Sequence, residues 1–281
     1  MRIDIHASTW TSAADQRARQ PQGRPHALPH PAHRSPGTEP ARRQPVSGTY
    51  NLRDVGGYRA AGGSVRRNRL LRSDSLHRLD PDGRRALAAM GVRRVVDLRD
   101  PWEVVDAPSR LDGVGAEVVH LPIFGTTTPR QLAAVSTDPE GLYDLMIDDR
   151  AEHLARAVRA IAEPDQTVLV HCTAGKDRTG VVVALALLAA GVERGDVVAD
   201  YTATEENLRG EWSRAVRARL EAAGIVIGPG ADRLVETTPA LIERVIDRVR
   251  DQHGSVTAYL LHAGLTPGDL DRLRTGLIAP S

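Results

Sequence analysis

A ten-residue string from His171 to Gly180, HCTAGKDRTG, holds residue types that can attack and bind a tetrahedral anion. Cys172 is the single cysteine of the chain and a potential nucleophile, and Arg178 brings a guanidinium fork suited to an oxyanion. The string follows the apolar run TVLVH and precedes a second apolar run. A loop that opens onto a helix N-terminus binds anions and favours a thiolate over a thiol. The sequence therefore predicts a nucleophilic thiolate facing a bound oxyanion.

The elements around this string alternate between strand and helix patterns. Strand patterns cover Val92–Leu98, Glu117–Leu121 and Thr167–His171, and helix patterns cover Asp80–Gly91 and Pro139–Ala162. This alternation predicts an α/β fold with a mainly parallel central sheet flanked by helices. Ligands bind such sheets at the carboxyl ends of the strands, which is where Cys172 stands.

The two ends of this pattern carry different elements. Upstream, Tyr50–Val55 and the Leu70–Leu71 pair predict a small β-hairpin region. Downstream, amphipathic patterns predict helices over Ala203–Ala223, Pro239–Gln252, Ser255–Ala263 and Pro267–Leu277. We expect these helices to form a helical C-terminal part that packs on the same sheet.

Three blocks of this sequence carry a resemblance to a known family. The Cys-x5-Arg spacing resembles the signature of protein tyrosine phosphatases. The full string HCTAGKDRTG, with Asn51–Gly57 (NLRDVGG) and Val96–Arg99 (VDLR), is similar to the bacterial atypical tyrosine/serine phosphatases. The resemblance runs from about Tyr50 to Leu277 and implies a single phosphatase-type domain.

The resemblance implies a role for each residue of the string. Cys172 would attack phosphorus to form a phosphocysteine, Arg178 would hold the equatorial oxygens, and Thr179 would donate a hydroxyl hydrogen bond to the departing thiolate. The substrate-binding residues would be Thr173, Ala174, Gly175, Lys176 and Thr179. No metal and no cofactor is implied.

Two carboxyl groups are candidates for the general acid. The chain has no Trp-Pro-Asp tripeptide, and the atypical family places the acid inside the loop, at Asp177. Asp97, at the end of a strand pattern, would then brace the loop. The sequence alone does not separate these two roles.

Lys176 is the single lysine among 37 basic residues. Where arginine is used everywhere else, a lysine in this loop indicates a need for a compact point charge. We expect it to contact phosphate or a second acidic group of the substrate. In the family such a lysine accompanies activity on phosphoinositides as well as on phosphoproteins.

Composition excludes several other classes of function. Aromatic residues make up only 3% of the chain, which removes the usual stacking platform for nucleic acid, so we expect no nucleic-acid partner. One cysteine cannot form an intrachain disulfide and suits a reducing compartment. The longest apolar run is shorter than the ~20 residues of a transmembrane helix. Met1–Trp10 lacks the apolar core of a signal peptide, so we expect a cytoplasmic protein.

We divide the chain into two regions. Residues 1–48 are rich in Pro, Arg and His, have few large apolar residues and predict a disordered arm. Residues 49–281 form the phosphatase-like domain, and carry 30 basic against 33 acidic residues. Within the domain, residues 122–150 contain an amphipathic run that predicts a lid over the site.

Two alternatives stay open at this stage. A rhodanese-like sulfurtransferase also carries a cysteine in a loop before a helix, although the Lys-Asp-Arg-Thr sequence favours a phosphate site. A catalytically weak module that binds phosphorylated partners would be expected to lack Cys172 or Arg178, and both are present. The sequence fixes neither the oligomeric state nor the preferred substrate among phosphotyrosine, phosphoserine and phosphoinositides.

Overall fold

A five-stranded sheet forms the centre of the protein, whose computed structural model describes residues 43–125, 138–162, 166–222 and 237–280. The strands are β1 Arg53–Asp54, β2 Arg59–Ala60, β3 Gly63–Val65, β4 Leu70–Ser73, β5 Val92–Asp97, β6 Glu117–His120, β7 Thr167–His171 and β8 Ile278–Pro280. The central sheet has the order β1-β4-β7-β5-β6. Its last four strands are parallel, and the short β1 is antiparallel to β4. The predicted α/β class with a mainly parallel sheet is confirmed.

Helices flank this sheet. They are α1 Pro81–Ala89, α2 Pro101–Asp106, α3 Pro139–Asp149, α4 Ala151–Ile161, α5 Asp177–Ala189, α6 Arg194–Leu208, α7 Glu211–Ala222, α8 Pro239–His253, α9 Val256–His262 and α10 Pro267–Leu277. A 3-10 turn, Leu76–Arg78, precedes α1. The boundaries follow local signals: Asp80 accepts a hydrogen bond from Gly83 at the start of α1, and Pro occupies the first turn of α1, α2, α3, α8 and α10.

The sheet separates two apolar cores because successive strand residues face opposite sides. In β7, Val168 and Val170 belong to the larger core, whereas Leu169 belongs to the smaller one. The larger core contains the buried α5, in which every residue from Val181 to Leu187 is buried. The smaller core is covered by α1 through Leu87.

Two expectations from the sequence need correction. The predicted helix Ala203–Ala223 is two helices, α6 and α7, because Gly210 between them adopts a left-handed φ of 92°. The structure also has a second, three-stranded antiparallel sheet of order β2-β3-β8 that we did not predict. There a Cβ at Gly63 would stand 1.8 Å from the Ala279 carbonyl oxygen, so this strand contact requires glycine.

The packed core includes a residue that precedes our boundary at 49. Val46, which we placed in the arm, is 5% exposed and packs in the smaller core. Residues 1–42 of the predicted arm lie outside the described residues. In the described ranges no helix has the length and apolar character that crossing a membrane requires.

Candidate active site

The string HCTAGKDRTG lies at the junction that the sequence predicts. β7 ends at His171, α5 begins at Asp177, and Cys172 is 2% exposed at the base of the connection. We call residues 172–178 the cradle loop. Gly175 has a φ of 68°, and a Cβ there would lie 2.4 Å from the Ser73 carbonyl oxygen. The cradle loop therefore passes directly over the end of β4, and only glycine fits at this position.

Side chains from the N-terminal part of the domain bind the carbonyl groups of the cradle loop. The Asn51 amide Nδ2 donates to the Ala174 oxygen at 3.0 Å and to the Gly175 oxygen at 3.2 Å. Arg72 Nη2 donates to the same Gly175 oxygen at 2.8 Å. With these carbonyls bound on the outside, the loop amides can face an anion on its inner side.

A buried ionic network fixes these donors. The Asp200 carboxylate of α6 accepts from Arg53 Nε at 3.1 Å and forms an ion pair with Arg72, and all three side chains are at most 2% exposed. Arg53 Nη1 also donates to the Asn51 side-chain oxygen. Burial and the neighbouring Arg72 lower the pKa of Arg53 to about 10, and Asp200 opposes this effect. The Arg53 side chain is thus a buried brace of the cradle loop.

Arg178 is held by a carboxylate that the sequence analysis missed. Glu103 of α2 receives hydrogen bonds from Arg178 Nη1 at 2.5 Å and Nη2 at 2.9 Å, and its Oε1 also accepts from the Thr173 hydroxyl. Burial raises the pKa of Glu103, but the hydrogen bonds from Arg178 and Thr173 and the charge of Arg178 together outweigh burial and lower this pKa. The guanidinium carbon lies 5.8 Å from the centre of the Phe124 ring. These contacts fix the orientation of the guanidinium.

Asp100 forms a second buried carboxylate beside Arg178. Its Oδ2 lies 3.8 Å from Arg178 Nη1. The side chain is fully buried, and the Gly125 backbone amide acts on its carboxylate. Burial raises the pKa of Asp100 to about 6, although the Arg178 charge opposes this. Asp100 is therefore a group that can change charge near the cradle loop around this pH.

Asp177 carries a half-buried carboxyl group at the start of α5. Its Oδ1 accepts a hydrogen bond of 2.8 Å from the Tyr143 hydroxyl and lies 3.8 Å from the Lys176 ammonium. Thr179, two residues on, has a buried hydroxyl with no hydrogen-bond partner among the described residues. Asp177 thus lies within the cradle loop, next to Lys176, as the sequence predicts.

Asp97 lies at the end of β5 rather than in the cradle loop. Its carboxylate is bound by Arg99, at 2.6 Å from Nη2 and 2.9 Å from Nε. His171 Nε2 lies 3.5 Å from Asp97 Oδ2, and His171 Nδ1 lies 3.2 Å from the Cys172 carbonyl oxygen. Burial would raise the pKa of Asp97, but the charges of His171 and Arg99 lower it. The buried His171 ring lies between the Asp97 carboxylate and the Cys172 carbonyl group.

The described part of the predicted lid segment, 122–150, is packed against the domain. Helix α3 places Leu142, Met146 and Ile147 in the larger core and brings the Tyr143 hydroxyl to Asp177. Residues 126–137 of this segment lie outside the described residues.

Sequence reasoning missed several residues that hold the site. These are Asn51, Arg72, Glu103, Tyr143, Asp200 and Tyr201. A local signal existed for Glu103, because it stands three residues after the helix cap Asp100 and accepts a hydrogen bond from the Asp100 amide at 2.8 Å. Tyr143 and Asp200 have no comparable sequence signal.

The described residues contain no group of three or more His, Cys, Asp or Glu side chains arranged to hold a metal ion.

The parallel sheet and the cradle loop with Cys172 at its base have the arrangement that the resemblance to the phosphatases implies, and comparison with known proteins shows the family. Residues 44–279 match the model of the tyrosine phosphatase family, so the chain belongs to that family and is a protein-tyrosine phosphatase. This finding sets aside the sulfurtransferase alternative.

Three curated relatives support the assignment. The triple specificity protein phosphatase PtpB of Mycobacterium tuberculosis is 30% identical over 274 residues, covering 83% of this chain and 98% of that protein. A putative tyrosine-protein phosphatase of Cupriavidus necator is 32% identical, covering 76% of this chain and 81% of that protein. A tyrosine-protein phosphatase of Nostoc commune is 28% identical, covering 74% and 73%.

Proposed function

We propose that this protein-tyrosine phosphatase hydrolyses phosphomonoesters through a phosphocysteine on Cys172. One observation carries the proposal: Cys172 lies at the base of a loop whose carbonyls are bound outside by Asn51 and Arg72, directly before the N-terminus of α5. Amide groups and a helix N-terminus aimed at one point stabilise the negative charge that develops on a transferred phosphoryl group. Arg178, held by Glu103, adds a fixed cation to the same point.

The reaction has two steps. In the first, the Cys172 thiolate attacks phosphorus, the bond from phosphorus to the ester oxygen breaks, and Asp177 gives its proton to that oxygen. In the second, water attacks the phosphocysteine, Asp177 takes up a proton from the water, and the sulfur departs as a thiolate. The Thr179 hydroxyl directly follows Arg178 in the chain and has no hydrogen-bond partner among the described residues. It therefore donates a hydrogen bond to the departing sulfur.

We assign the general acid to Asp177 and a bracing role to Asp97. The support is positional: Asp177 lies in the cradle loop, whereas Arg99 already binds both oxygens of Asp97. A carboxylate paired with a buried guanidinium is a poor proton donor because the ion pair favours its charged form.

We also propose phosphoserine, phosphothreonine and phosphoinositide activity, and action in the cytoplasm. The support for broad substrate use is Lys176, a compact cation beside Asp177 that can bind a second phosphate. Initial rates of the wild type and of Lys176→Ala on a phosphotyrosine peptide, a phosphoserine peptide and a soluble phosphoinositide test it. The variant should lose most on the phosphoinositide, and an equal loss on all three substrates would limit Lys176 to shaping the loop.

The Cys172→Ser variant tests the mechanism. A serine hydroxyl is far less ionised than a cysteine thiol, so turnover should fall to background, while phosphate binding measured by calorimetry should persist through Arg178 and the loop amides. A variant that keeps more than about a tenth of the wild-type kcat would contradict the proposal, since loss of a nucleophile costs orders of magnitude.

A further inference from the structure

We propose that Tyr143 and Tyr201 form a buried hydrogen-bonded pair that positions Asp177 and sets which of its oxygens carries the proton. The inference rests on the proposed role of Asp177 as general acid. The Tyr143 hydroxyl, from α3, lies 2.8 Å from Asp177 Oδ1 and 2.6 Å from the Tyr201 hydroxyl, from α6. Two helices far apart in sequence thus meet at the carboxyl group that lies in the cradle loop.

The direction of the hydrogen bonds follows from the chemistry of the groups. A phenol has one proton to donate, and a carboxylate can only accept. Tyr143 therefore donates to Asp177 Oδ1, and Tyr201 donates to the Tyr143 oxygen. With Oδ1 occupied by this donor, Oδ2 is the oxygen left to carry a proton toward the ester oxygen of the substrate.

Burial keeps both phenols protonated. Tyr143 is fully buried and Tyr201 is 1% exposed. Burial, and next the negative charge of Asp177, raise the pKa of both hydroxyls. Both groups therefore remain donors over the whole pH range in which a phosphatase is assayed.

Gly180 of the signature string makes room for this pair. A Cβ at Gly180 would lie 2.9 Å from Tyr201 Cδ2 and 3.0 Å from Cε2, so a larger residue would push the ring away. The two tyrosine rings meet edge to face, with centroids 6.4 Å apart and planes at 85°. Gly180 thus leaves space for the Tyr201 ring, whose hydroxyl is hydrogen-bonded to the tyrosine that contacts Asp177.

Other charged groups also act on this carboxyl group and its partners. The Lys176 ammonium lies 3.8 Å from Asp177 Oδ1, and the Arg72 guanidinium acts on the Tyr201 hydroxyl. Lys176 favours the negative charge that proton transfer leaves on Asp177, whereas Arg72 acts on Tyr201, at the other end of the pair. Substitutions at the tyrosines change the hydrogen bonds and leave these charges in place.

The variant Tyr143→Phe tests the inference, with Tyr259→Phe as the matched control. Tyr259 is also a buried tyrosine and donates its hydroxyl to α3, to the Ile147 carbonyl at 2.9 Å, without contacting Asp177. Tyr143→Phe should lower kcat about tenfold on an alkyl phosphate and less than about threefold on p-nitrophenyl phosphate, because only a poor leaving group needs the proton.

Tyr201→Phe should show the same pattern with a smaller loss, and Tyr259→Phe should leave the ratio of the two rates unchanged. Equal losses by Tyr143→Phe on both phosphates, or the same behaviour as Tyr259→Phe, would overturn the inference.

The variant Asp177→Asn separates this inference from the proposed function. If Asp177 is the acid, Asp177→Asn slows the alkyl phosphate selectively, and adding Tyr143→Phe to it should cause no further selective loss. No selectivity in Asp177→Asn would refute the acid assignment itself. Selectivity in Asp177→Asn without any in Tyr143→Phe would refute only the role of the tyrosine pair.

Discussion

Two regions of the molecule hold the parts of the site by different means. Around the cradle loop, the ion pairs are buried: Asp200 joins Arg53 and Arg72, and Glu103 joins Arg178. Where α3 meets α8, the ion pairs lie at the surface. There Arg244 binds the Asp144 carboxylate through Nε at 3.0 Å and Nη2 at 2.7 Å, and Arg248 Nε binds Asp148 at 2.9 Å.

The difference in burial predicts a difference in energetic weight. A buried charge that loses its partner costs several kcal/mol because water cannot replace the lost interaction. An exposed ion pair contributes at most about 1 kcal/mol because water and salt screen it. We therefore expect the cradle loop to depend on its ion pairs, and α3 to depend on its apolar contacts with the larger core.

The largest effect is expected for Asp200→Ala. This substitution leaves the Arg53 and Arg72 guanidinium groups buried without a carboxylate, which should lower the free energy of unfolding by about 3–5 kcal/mol. Urea denaturation of both proteins measures it. A loss below about 1 kcal/mol would mean that this buried network stabilises the fold no more than exposed ion pairs do.

Glu103→Gln should act on catalysis more than on stability. The amide keeps the shape of the carboxylate but loses the ion pair that orients Arg178, so kcat/KM should fall about 30-fold, the weight of a hydrogen bond to a charged group. Glu117→Gln removes the exposed pair with Arg94 and serves as control. Equal kcat/KM values for the two variants would show that Arg178 needs no partner.

We expect anion binding to depend on pH because of the raised pKa of Asp100. Its raised pKa, about 6, leaves it neutral below that pH and charged above it, 3.8 Å from Arg178. In Cys172→Ser, the affinity for sulfate should fall by up to about tenfold for each pH unit above 6. Above that pH, Asp100 must take up one proton when sulfate binds. Glu103, with its lowered pKa, stays charged throughout. Adding Asp100→Asn should flatten the profile, and an unchanged slope would assign it to another group.

The smallest effect is expected for Arg248→Ala. Removing this exposed guanidinium breaks the pair with Asp148 and should cost less than about 1 kcal/mol of unfolding free energy. Activity on p-nitrophenyl phosphate should stay at the wild-type level, because Tyr143 is held from the core side of α3. A marked loss of activity would mean that surface pairs set the position of Tyr143.

The sequence predicted the elements that depend on local pattern. The apolar runs of β5 and β7, the capped helix α1 and the cradle loop are each specified by neighbouring residues, so they could be identified without a structure. The partners of the cradle loop could not. Asp200 reaches Arg53 across 147 positions and Tyr143 reaches Asp177 across 34, and no local period records such contacts.

One sequence pattern can also be compatible with more than one tertiary arrangement. The amphipathic run around Tyr143 predicts a lid, and the structure adds that its apolar face packs into the larger core and brings the Tyr143 hydroxyl to Asp177. Arg53 lies in the string NLRDVGG, and the neighbouring residues do not record its buried contact with the distant Asp200. Which surface covers an apolar or charged residue is decided by tertiary packing.

During hydrolysis we expect the phosphoryl group to be bound covalently to Cys172 in the cradle loop. The most direct measurement is rapid acid quench of the enzyme during turnover of a phosphotyrosine peptide, followed by mass spectrometry of the fragment that contains residues 171–178. We expect one phosphoryl group on Cys172, present during turnover of the wild type and absent in Cys172→Ser. Turnover with the phosphoryl group on another residue, or undiminished turnover by Cys172→Ser, would contradict it.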